Sequence, residues 1–67
     1  MTVARVTKIT ASSEKSFQDA VKEALGRAAQ TLRGISGLEV LSQKAKVVDG
    51  KIAEYRVTTE ITFIIED

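Results

Sequence analysis

Cysteine, histidine, proline and tryptophan are all missing from this chain of 67 residues. Without Cys there is no disulfide, no thiolate metal ligand and no thiol nucleophile. Without His there is no imidazole ligand, and the commonest general base is gone. Aromatic residues are scarce, one Tyr and two Phe. No sign of charge dominates: ten Lys+Arg face nine Asp+Glu, a net +1. That balance argues against a nucleic-acid-coating protein and against a polybasic membrane binder. Uninterrupted apolar runs stop at two or three residues, so none suits a bilayer span. The opening Met1-Thr2-Val3-Ala4-Arg5 lacks the apolar core of a signal peptide, and a cytoplasmic location is expected. There is no nucleophile–base pair, no Gly-rich phosphate loop and no metal-binding motif. Ser12, Ser13 and Ser16 have no His to activate them and read as loop and cap residues. The expectation is a protein that is not an enzyme.

What is present is 43% hydrophobic and 28% charged. One domain, residues 1–67, is the ceiling at this length. Such a domain buries only about 60% of the surface its unfolded chain exposes and is marginal alone. Small chains are commonly supported by disulfides, a metal or association. With Cys and His absent, self-association is the support to expect.

Along the chain, Val3 to Thr10 is rich in β-branched residues and reads as a first strand. Ala11 to Lys15 is a polar break. Ser16 is a helix cap, with Asp19 three residues on as the acid of a capping box. Phe17, Ala20, Val21, Ala24, Leu25, Ala28 and Leu32 then recur at helical spacing as one apolar stripe. Gly26 interrupts it, as a close packing contact or as a neutral feature. Arg33 followed by Gly34 suits a helix end. Ile35-Ser36-Gly37 reads as a connection and Leu38 to Val48 as a second strand. Asp49-Gly50 is the strongest turn signal, because a two-residue type I′ hairpin needs positive φ at both positions. Lys51 to Ile65 reads as the return strand: its odd positions are Ala53, Tyr55, Val57, Thr59, Ile61, Phe63 and Ile65 and its even positions are mostly polar, a two-residue alternation with one apolar face.

The fold class is therefore α+β, with element order β-α-β-β. Strand three pairs antiparallel with both others only from the centre, giving a three-stranded antiparallel sheet of order 1-3-2 around one helix. Strands of 11 and about 14 residues extend roughly 36 to 46 Å at about 3.3 Å per residue. A helix of about 17 residues covers only about 25 Å. The hairpin thus overhangs its helix and carries Val47, Val48, Ile52 and Ala53 beyond it, while Ile64 points away from the core. Two open strand edges invite pairing. A closed, symmetric assembly would cover the edges and the overhang together.

The β-α-β-β plan and the length resemble those of dodecins, small non-enzymatic flavin-binding proteins that form hollow twelve-subunit shells. The matching residues run through nearly the whole chain. They include Lys8-Ile9-Thr10-Ala11-Ser12-Ser13, Ser16-Phe17, Ala20-Val21, Ala24, Arg27-Ala28 and Gln30-Thr31-Leu32-Arg33. Further along they include Glu39-Val40, the Asp49-Gly50 turn, Tyr55, Glu60, Phe63 and the tail Glu66-Asp67. The resemblance implies a homododecamer that holds a small planar ligand, riboflavin or FMN, in pockets between subunits. It implies neither nucleic acid nor membrane as partner.

The resemblance also points to ligand positions, and two of them depart from the family pattern. Flavin-binding dodecins stack the isoalloxazine on a Trp two residues before the Glu-Val pair; this chain has Gly37 there. They place a Gln after the strand-three Tyr to meet the polar edge of the flavin; this chain has Arg56. Gly37 offers no ring to stack on. Arg56 only donates, whereas Gln donates and accepts. Some dodecin-like proteins also lack the Trp and are associated with calcium, and the chain resembles that branch at these two positions. Gly37 and Arg56 also have plainer readings, a bulge and a salt-bridged surface Arg. Lys44 and Lys46 share a strand-two face with Ser42, as guards of an exposed edge or as a site for a phosphate or nucleotide tail. Gln43, on the opposite face, is a candidate polar pocket residue. Tyr55 falls on the core face. Scattered carboxylates, among them Glu14, Asp19, Glu23, Glu39, Glu54 and Glu60, supply oxygens for a hard cation only if symmetry gathers them.

Overall fold

Strand formation begins with the β-branched run at the amino end. In the computed structural model, which describes residues 3–65, β1 spans Val3–Ser13, α1 Phe17–Thr31, β2 Ile35–Val48 and β3 Lys51–Ile65. Met1, Thr2 and the Glu66-Asp67 tail lie outside the described residues. The sheet has the order β1-β3-β2, and both pairings are antiparallel. Among the described residues no helix is long and apolar enough to cross a membrane.

The helix starts as expected, by a rearranged cap. Ser16 sits in extended backbone at the N-cap and its Oγ accepts from the Asp19 N–H at 2.9 Å. The Asp19 carboxylate accepts instead from the Ser13 hydroxyl at 2.7 Å, tying the end of β1 to the first turn of α1. That link carries β1 on to Ser13, beyond the expected end at Thr10, and leaves only residues 14–16 between strand and helix. At the other end the helix stops at Thr31, two residues before Arg33, with Leu32 as an extended C-cap. Gly34 then turns with φ +73° and its carbonyl accepts from the Ile64 N–H at 2.8 Å. A Cβ on Gly34 would meet the Ile64 carbonyl oxygen at 3.0 Å, so a backbone passes here where a side chain does not fit. The Asp49-Gly50 turn has φ of 53° and 75°, as a type I′ hairpin requires.

The core is small. Ala20, Ala24 and Ala28, spaced four apart, bury one narrow helix face against Val57, Thr59 and Ile61 on the odd face of β3. Alanine lets the helix lie close to the sheet. Thr59 is fully buried, and its hydroxyl donates to the Ile9 carbonyl at 3.0 Å. Phe17 meets Tyr55 edge to face, with ring centroids 5.0 Å apart, and closes the core at the hairpin side. Leu25, expected on the buried stripe, is 41% exposed, because the three alanines define a contact face too narrow to include it. Gly26 is open on all sides and makes no packing contact.

The chain is 52 Å long and 19 by 13 Å across. A 15-residue helix reaches only about 22 Å. The β2–β3 hairpin therefore runs past both β1 and α1, and Val47, Val48 and Ile52 are about half or more exposed at its end.

Candidate functional site

Register and pleat sort the side chains of the sheet onto two faces. On the face away from the helix they form rows across the strands. Val6, Thr62 and Gly37 make one row; Lys8, Glu60 and Glu39 the next. Then come Thr10, Thr58 and Ser42, with the Thr10 and Thr58 hydroxyls 3.1 Å apart, followed by Ser12, Arg56 and Lys44. Lys46 opposite Glu54 is the last, on the overhang.

Straight alternation along β2 would give a different arrangement. One extra residue in β2, Leu41, separates Val40 opposite Thr59 from Ser42 opposite Thr58. The bulge lets Leu38 and Val40 face the helix while Ser42, Lys44 and Lys46 face away. A second irregularity lies between Ile35 and Gly37, so Ile35-Ser36-Gly37 is the irregular start of β2 and not a connection. Gly37 sits at its inner end opposite Thr62. A Cβ there would meet only the Thr62 Cβ, at 3.9 Å.

Of the five candidate residues, Gly37, Arg56, Lys44 and Lys46 share the helix-free face. Gln43, opposite Val57, lies on the helix side and is exposed. The face does not gather them all. Arg56 and the Gly37 partner Thr62 are six residues apart on β3, about 20 Å at about 3.3 Å per residue. Lys44, Lys46 and Arg56 do come together: with Ala45 and Glu54 they line an open depression of about 380 Å³. Arg56 Nη2 donates to Glu54 Oε1 at 2.8 Å, an ion pair on the surface. Sequence reasoning passed over Glu54 as a member of this cluster. Its signal was present, since residues two apart on a strand share a face. A second shallow depression, on the outer face of α1, is lined by Lys22, Glu23, Gly26, Arg27 and Gln30. No group of three or more metal-ligating side chains occurs among the described residues.

The fold is thus a small antiparallel sheet wrapped on one helix, with apolar side chains left exposed at the hairpin end. Comparison with known proteins names the family. The family model described as Dodecin matches residues 3–66, and the chain belongs to the dodecin family. The Thermus thermophilus dodecin is 29% identical over 65 residues, covering 97% of this chain and 94% of that protein. A crystal structure of an arginine-to-alanine mutant of it superposes with a TM-score of 0.94 over 100% of both chains at 28% identity. The Streptomyces coelicolor dodecin follows at 0.92 and 32% identity, covering 98% of this chain and 94% of that one. The calcium dodecin of Mycobacterium tuberculosis, a calcium-chelating antigen with a novel calcium-binding site, gives 0.82 at 32% identity, covering 96% and 91%. The chain is thus a small binding protein of dodecin type.

Proposed function

We propose that the chain assembles into a closed homododecamer and that this shell sequesters a flavin, riboflavin or FMN, in seams between subunits, without turning it over. The observation that carries the reading is the separation of Gly37 and Arg56. The resemblance puts one ligand in touch with both positions. In one subunit they lie about 20 Å apart, farther than a three-ring heterocycle reaches. A ligand that touches both therefore spans two copies. The surface supports assembly as well. Among the described residues nine large hydrophobic ones are exposed, against five apolar residues in the core. Exposed apolar surface of this extent marks an interaction face. A fluorescence-quenching titration with riboflavin and FMN on the assembled protein tests the reading. Saturable quenching at micromolar flavin is expected; none at tens of micromolar would remove it.

A cation-binding shell is the second reading, and one observation favours it. Glu39 and Glu60 are directly opposite each other on the helix-free face, with Lys8 beyond Glu60. Like charges so placed repel, and a cation would relieve them. If calcium raises the melting temperature of the assembled protein while flavin does not quench, this second reading replaces the first.

A further inference from the structure

The tip of the β2–β3 hairpin carries a chemistry of its own. Asp49 and Gly50 are adjacent in the chain and both are exposed. An Asp followed by Gly sets an electrophile, the side-chain Cγ, beside a nucleophile, the Gly nitrogen, at the spacing that closes a succinimide ring. Gly50 has no side chain to hinder the approach, and a Cβ there would meet nothing within 4 Å. Its nitrogen is free. The ladder ends at Val48 opposite Lys51, and among the described residues the Gly50 N–H makes no backbone bond outside it. The Asp49 carboxylate is free as well: among the described residues it accepts no hydrogen bond and joins no ion pair.

Asp19, the other aspartate among the described residues, is held in the opposite way. Its carboxylate accepts from the Ser13 hydroxyl at 2.7 Å. The N–H that follows it, of Ala20, donates to the Ser16 carbonyl at 3.1 Å in the first turn of α1. Neither partner of a ring closure is available there. The hairpin tip, by contrast, is lightly anchored. A slip leaves Ala53 unpaired between Glu54 and Ile52, so beyond it the turn is clamped by Val47 opposite Ile52 and Val48 opposite Lys51 alone. These apolar side chains are already about half or more exposed, so parting the two pairs uncovers little that was buried. Among the described residues Asp49 is also the one non-glycine residue in left-handed backbone, at φ 53°.

We propose that Asp49-Gly50 is a self-modification site, at which the hairpin turn converts to an isoaspartyl linkage and loosens the subunit's hold on its neighbours. The Gly50 nitrogen attacks Cγ of Asp49 in its acid form. An N–Cγ bond forms and a Cγ–O bond breaks. The oxygen leaves as water, taking the N–H proton and the carboxyl proton. Water then opens the succinimide. Attack at Cγ restores Asp. Attack at the former main-chain carbonyl carbon breaks its bond to nitrogen and leaves the chain running through the Asp49 side chain. The product keeps its negative charge and gains one carbon in the main chain. A type I′ turn needs two α-linked residues, so its match to the strand twist is lost. Val47, Val48 and Ile52 hang on that turn. The modification stands on the turn alone, and the loosening rests on the closed-shell reading.

Peptide mapping of the folded protein, aged at neutral pH with mild heating, tests the site. Isoaspartate and a form lacking one water are expected to accumulate at Asp49, with none at Asp19. D49N is expected to reach the same ring faster, with ammonia leaving in place of water. D49E is expected to lose the product, because its longer side chain would have to close a larger ring. An unchanged Asp49 in the folded protein overturns the proposal, and so does equal conversion at Asp19. The loosening is read by separating the aged sample by size and mapping each fraction. Isoaspartate is expected to be enriched in species smaller than the full assembly. Equal content in all fractions, or full mass retained while isoaspartate accumulates, overturns that part. If the fresh protein is already a lone chain, the closed-shell reading and the loosening both fall, and the mapping still decides the site.

Discussion

Gly34 and Gly37 are three residues apart and have opposite tolerances. Gly34 has φ +73° and no room for a Cβ against the Ile64 carbonyl. G34A is expected to cost about 1–3 kcal/mol, from left-handed backbone and close contact together, read as a lower denaturation midpoint of the assembled protein. Gly37 has no such constraint, and its Cβ position is in ordinary contact with Thr62. A large side chain can therefore be placed there without backbone strain. If the seam keeps the flavin geometry, G37W is expected to tighten flavin binding by about tenfold, given what ring stacking and area burial contribute. Unchanged affinity in an intact oligomer would mean that the ring is held elsewhere. The sequence alone could mark Gly37 and Arg56 as departures from the flavin-binding pattern. The plainer reading of Arg56 as a salt-bridged surface residue holds, and its partner is Glu54, two residues back on the same face of β3.

At the scale of elements, β3 was legible over most of its length. Two-residue alternation from Ala53 to Phe63, broken only by Thr59, leaves one choice of face, and the hairpin turn fixes the start of the strand; the slip that leaves Ala53 unpaired between Glu54 and Ile52 has no trace in that pattern. The helix position was equally clear, but its buried face was narrower than the apolar stripe. A count of apolar positions does not say how close the helix lies to the sheet. Three alanines set that distance, and Leu25 falls outside it. A24L is expected to force the helix off β3 and cost about 1–3 kcal/mol, visible as a lower melting temperature. The β2 bulges were not legible. Each is an extra residue whose only trace in the sequence is a change of phase, apolar Leu38 and Val40 giving way to polar Ser42, Lys44 and Lys46 on positions of the same parity. Read as an unbroken strand, that stretch has no consistent face.

For the whole molecule the deciding feature is the mismatch between a chain 52 Å long and a helix of about 22 Å. The uncovered hairpin leaves Val47 61% and Ile52 51% exposed. Charges placed there should harm assembly more than they harm the subunit's own core, which lies at Ala20, Ala24, Ala28, Val57 and Ile61. V47D with I52D is expected to lower the oligomer mass in light scattering while the circular dichroism of sheet and helix is kept at high protein concentration. Retention of the full mass would show that this end stays in water. In the proposed shell, neighbouring copies would supply the burial that one copy of so short a chain, without cysteine, lacks.

Sedimentation equilibrium of the purified protein at micromolar concentration tests this most directly. A single species with the mass of twelve 7.3 kDa chains is the expected result. A well-folded particle with the mass of one chain would contradict it, because the exposed hairpin would then be stable in water and no seam would exist to hold a ligand.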